Sequence, residues 1–95
     1  MDYFVQCGTT AILNRDLPKL AGELRGELQD TGYVRQPDVI SNVLTCRLTL
    51  TARIEAGTPQ TAITVAETAL LTHLRAHGPE YRMVGIQHAD AQVAR

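Results

Sequence analysis

Through residues 44–54 apolar and polar side chains alternate without a break. Leu44, Cys46, Leu48, Leu50, Ala52 and Ile54 fall on one side of an extended chain, and Thr45, Arg47, Thr49, Thr51 and Arg53 on the other. A period of two over this length demands a strand with one face on a core and the other facing solvent or a partner. Unbroken from 43 to 55, such a strand spans on the order of 43 Å at about 3.3 Å per residue, longer than a small four-stranded sheet uses. The expectation is therefore a bulge that bends it, or pairing beyond its own sheet.

The rest of the chain supplies the elements to pack against that strand. Residues 3–7 read as a short strand with Tyr3, Val5 and Cys7 on one side and Phe4 on the other, ended by Gly8. Asn14 or Asp16 can cap a helix with Pro18 in its first turn, and Leu17, Leu20, Ala21, Leu24 and Leu28 then form one apolar stripe that stops at Gly32. Residues 32–42 predict a short second strand, with Pro37-Asp38 as a turn. Thr58-Pro59 starts a second helix and Gly78-Pro79 ends it; Ala62, Ile63, Val65, Ala66, Ala69, Leu70 and Leu74 cover half its circumference. Residues 81–87 read as the last strand, and 89–95 as a loosely held tail.

The order is β-α-β-β-α-β. It predicts an α+β ferredoxin-like sandwich: four antiparallel strands in one sheet, with two helices on one face. The stretch Arg53-Ile-Glu-Ala-Gly-Thr-Pro-Gln-Thr-Ala62, followed by Leu70-Leu-Thr-His-Leu74 and Tyr81-Arg-Met-Val-Gly-Ile86, resembles small ferredoxin-like proteins of bacteria and their phages. The resemblance covers about the C-terminal half and implies the fold; it transfers no functional residue.

Composition narrows the function classes. Ninety-five residues with 44% hydrophobic content suffice for one core and one domain, 1–95. A formal net charge of -1 gives no global basic field toward nucleic acid or anionic membrane. No apolar run reaches the roughly 20 residues of a membrane helix, and the N-terminus has no signal-peptide pattern, so a cytoplasmic protein is expected. Basic residues are eight Arg and one Lys, a bias that suggests a bacterial or phage source.

Candidate chemistry is sparse. His73 and His77 stand four apart on the second helix, a spacing that can begin a zinc site, with His88 as the remaining histidine to complete it. A half-buried His73 with one hydrogen bond, and a His77 favoured by the helix C-terminus, account for the pair without metal, so neither metal nor cofactor is expected. Cys7 and Cys46 would lie on neighbouring strands as small buried hydrophobes. Gly22 and Gly26 mark the outer side of the first helix either for a close partner or for simple tolerance. No phosphate loop, nucleophile elbow, dinucleotide fingerprint or close carboxylate pair is present, which disfavours an enzyme.

The expected activity is that of a small non-enzymatic binding or regulatory protein acting as a homodimer, with a host or cellular protein as a further partner. Its binding face would carry Arg47, Thr49, Thr51, Arg53, Tyr81 and Met83. The alternatives are a single-stranded nucleic-acid binder on the same face, for which the third strand lacks aromatic platforms, and a small-molecule sensor with its ligand at a dimer interface.

Overall fold

In the computed structural model, which describes residues 1–94, β1 (Asp2–Thr9), α1 (Leu17–Asp30), β2 (Arg35–Asn42), β3 (Arg47–Glu55), α2 (Pro59–Ala76) and β4 (Ile86–Val93) follow one another, with a 3-10 turn at Pro79–Tyr81 before the last strand. The strands form one antiparallel sheet in the order β2-β3-β1-β4. This is the expected ferredoxin-like arrangement. Both helices pack on one face, where Val5, Cys7, Leu48, Leu50 and Ile54 of the sheet meet Leu20, Leu24 and Leu28 of α1 and Leu70 and Leu74 of α2. Ala62, Ala66 and Ala69 line the sheet side of α2, so that helix approaches the strands closely.

Local chemistry explains where the helices begin. Asp16 is the N-cap of α1, its side chain accepting from the Lys19 N–H at 3.2 Å, while the Asn14 side chain accepts from the Asp16 N–H. Thr58 caps α2 through the Thr61 N–H at 3.1 Å, with Pro59 in the first position.

Three expectations on the strands are corrected. The long third strand is nine residues, Arg47–Glu55, because residues 43–46 turn the chain between β2 and β3. The Asn42 side-chain oxygen accepts from the N–H groups of Leu44 and Thr45, and Cys46 takes a positive φ of 57°; Leu44 is left 93% exposed. Alternation thus continues into a loop that has no core to face. Second, Pro37-Asp38 is not a turn: it lies inside an eight-residue β2, where the pairing to β3 shifts register between Arg35 and Asp38 and Gln36 adopts φ 50°. A proline is tolerated there because β2 is an edge strand.

Third, the last strand is Ile86–Val93, not 81–87, so residues 89–93 are paired to β1 and are no loose tail; Arg95 lies outside the described residues. Tyr81 closes the 3-10 turn, buried, its hydroxyl accepting from the Asn14 side chain at 2.6 Å. The strand is faint in sequence because its inward residues are Ala89 and Ala91, weak strand formers that cover little core. No helix among the described residues is long and apolar enough to cross a membrane.

Candidate functional site

The helix-free face of the sheet is built by strand parity. On β1 the core takes Tyr3, Val5 and Cys7, which turns Asp2, Phe4, Gln6 and Gly8 outward; pairing then sets the rows across the sheet. One row reads Ile40, Thr49, Gly8 and His88, a second Asp38, Thr51, Gln6 and Asp90, and a third Arg53, Phe4 and Gln92. Phe4 is 50% exposed and Ile40 54%. Between β1 and β4 a shallow hollow of about 280 Å³ is lined by Phe4, Gln6, Thr51, Asp90 and Gln92.

Charge on this face is balanced. Arg35 donates to Asp2 at 2.6 Å and approaches Glu55 at 3.8 Å, while Arg53 Nε stands 3.3 Å from the other Asp2 oxygen, off the line of a hydrogen bond. The Arg53 guanidinium also rests over the Phe4 ring, 5.1 Å from its centroid. Arg47 Nε is buried with no partner. Three arginines therefore share the face with Asp2, Asp38, Glu55 and Asp90.

Of the six residues expected here, the structure brings Arg47, Thr49, Thr51 and Arg53 together on β3. It removes the other two: Tyr81 is buried in the 3-10 turn, and Met83 sits in the loop after it, 93% exposed. That misplacement follows from the misplaced last strand. Phe4, Ile40, His88 and Asp90 take their places, and of these only Phe4 was legible, from its parity against Tyr3 and Val5.

The histidines separate. His88 lies on the helix-free face, its ring over Gly8, where any Cβ would collide with the imidazole. His73 and His77 lie on the helix side, facing α1. Glu27 bridges them, one carboxylate oxygen 2.6 Å from His77 Nε2 and the other 3.4 Å from His73 Nδ1, and Glu23 stands 3.4 Å from His77 Nδ1. Glu23 and Glu27 repeat on α1 the spacing of four that His73 and His77 have on α2, the one signal in the sequence for this cluster. Both ring nitrogens of His77 are occupied by carboxylates, and no group of three ligand-type side chains among the described residues is arranged to hold a metal ion.

The cysteines do not form a redox pair. Cys7 is fully buried opposite Leu50 in β3, whereas Cys46 is half-buried in the loop before β3, four positions ahead of Leu50, its carbonyl accepting from the Ile12 N–H. Desolvation by burial, and secondarily the Glu67 carboxylate, pushes the Cys7 thiol up to about 12, which makes it a poor nucleophile. No protein-family model matches the chain, and a search of curated proteins finds no significant relative.

Proposed function

We propose that this chain is a small non-enzymatic binding or regulatory protein that works as a homodimer. The observation that carries this is the helix-free face: Phe4 and Ile40 stand half-exposed among threonines, glutamines and balanced charges. Apolar anchors within a polar, charge-mixed surround are the composition of a protein-binding surface, and the sheet ends in two edge strands, β2 and β4. Arginine-rich basic usage suggests a bacterial or phage setting for it.

The single-stranded nucleic-acid reading finds one favourable feature, Phe4 on a central strand, and two unfavourable ones. Arg53 already covers that ring, and the carboxylates around Arg35 and Arg53 offset the positive charge a phosphate backbone needs. Sedimentation velocity over a concentration series tests the dimer, and a species that stays monomeric at high micromolar concentration removes it. Titration with mixed-sequence single strands at low salt is expected to show no binding.

A further inference from the structure

Within the homodimer reading, on which this inference rests, we propose that two copies join through β4, antiparallel, in the register that sets His88 against Asp90 of the partner subunit. The two edges of the sheet are not equivalent. β2 is blunted as a pairing strand by Pro37, which has no N–H, and by the register shift between Arg35 and Asp38. β4 runs for eight residues with no proline, glycine, lysine or arginine, its pairing to β1 shifts register only at its start, where Gln87 is skipped, and among the described residues no strand pairs with its outer side.

The direction of its free hydrogen-bonding groups follows from one bond. The Ala94 N–H donates to the Asp2 carbonyl at 2.9 Å, and those two residues continue the pairing of Tyr3 with Val93. His88, Asp90 and Gln92 share that parity and turn their backbone groups toward β1; Ala89, Ala91 and Val93 turn theirs outward, and Gln87 is the residue skipped at the register shift before them. A two-fold pairing of β4 with itself is antiparallel and isologous. Centred on Ala89, it bonds Ala89 to Ala89 of the partner subunit and sets Gln87 beside Ala91 of the partner subunit. His88 then faces Asp90 of the partner subunit as a non-hydrogen-bonded pair, the close kind at about 4.5 Å between Cα atoms.

Other registers lose this complementarity. Centred on Asp90, the pairing sets two carboxylates against each other across the axis; centred on His88 or Ala91, Asp90 meets only Ile86 or Gln92 of the partner. The register on Ala89 makes each imidazole a donor to a carboxylate, twice by symmetry. His88 is exposed, so its ring can turn from Gly8 toward the edge. The product is one continuous eight-stranded sheet whose helix-free faces, Phe4 and Ile40 included, lie side by side for a further partner. A seam of this size makes a weak dimer whose population depends on concentration.

Sedimentation equilibrium on four chains tests the register: the wild type, His88→Glu, Asp90→Lys, and the double exchange His88→Glu/Asp90→Lys. Both single variants are expected to weaken the dimer at least tenfold, the first by facing two carboxylates, the second by removing the acceptor. The double exchange restores opposite charges across the axis and is expected to recover most of the affinity, which a generally damaged strand would not do. A wild-type dimer indifferent to all three changes overturns the β4 register and leaves the homodimer standing. A monomeric wild type overturns both.

Discussion

Glu27 holds one carboxylate oxygen toward each of two histidines a helical turn apart on the neighbouring helix. Its 2.6 Å contact to His77 is short enough for a charge-assisted bond, whereas 3.4 Å to His73 is at the edge of bonding distance. All three side chains keep some contact with water, so the contribution is that of a partly screened surface pair. Glu27→Ala is expected to destabilise by about 1 kcal/mol, a drop of roughly 4–8 °C in melting temperature for a domain of this size. His73→Leu should stay within about 0.5 kcal/mol of wild type, since an apolar ring-sized group replaces an imidazole with one marginal bond. Thermal unfolding with and without chelator checks both. A larger loss at His73 than at Glu27, or a chelator-dependent melting temperature, contradicts this account.

At the scale of elements, α1 contains an unused gain in stability. Gly22 and Gly26 are exposed, four apart on its outer side, and a Cβ built at either has no neighbour within 4 Å. Neither position therefore serves close packing within the chain, and each loses about 1 kcal/mol of helix propensity relative to alanine. The double variant Gly22→Ala/Gly26→Ala is expected to raise stability by about 1.5–2 kcal/mol, seen as a higher urea midpoint at unchanged slope. A reduced midpoint, or a change in association state, would mean that this helix face is contacted in the assembly. The same helix shows what its sequence made legible: the stripe from Leu17 to Leu28 and the Asp16 cap are local patterns, and the structure reproduces them.

For the whole molecule, Cys7 reports cooperative opening. It lies on a central strand beneath both helices and is fully buried, while Cys46 has partial access from the loop. A maleimide should modify Cys46 in the native protein and reach Cys7 only through unfolding, so intact-mass kinetics under increasing urea should follow the global transition. Alkaline pH adds a second readout with a definite sign. The folded thiol titrates near 12 and the unfolded one near 9.0, so between these values the unfolded chain loses a proton that the folded chain keeps. Stability should fall as pH rises through that window, and Cys7→Ala should flatten the fall. Equal labelling of both thiols in the native state would show that the core around β1 opens without global unfolding.

Local patterns alone carried the element order, both helices with their apolar stripes, and the inward faces of β1 and β3. Caps, prolines and apolar periodicity act over a few residues, and a chain carries them wherever it is placed. Phe4 could be assigned to the outer face in this way, because parity along one strand needs no partner. Tertiary structure alone decided where alternation stops being a strand: Leu44 and Cys46 continue the pattern, but Asn42 reverses the chain beneath them and the core lies elsewhere. It also decided that 86–93, with alanines as its inward residues, completes the sheet, since a weak strand is stabilised by pairing with the central strand β1 beside it. The meeting of Glu27 with His73 and His77, and of Arg35 with Asp2, joins residues 46, 50 and 33 positions apart. Contacts of that range depend on how helices and strands are stacked, which no local pattern encodes.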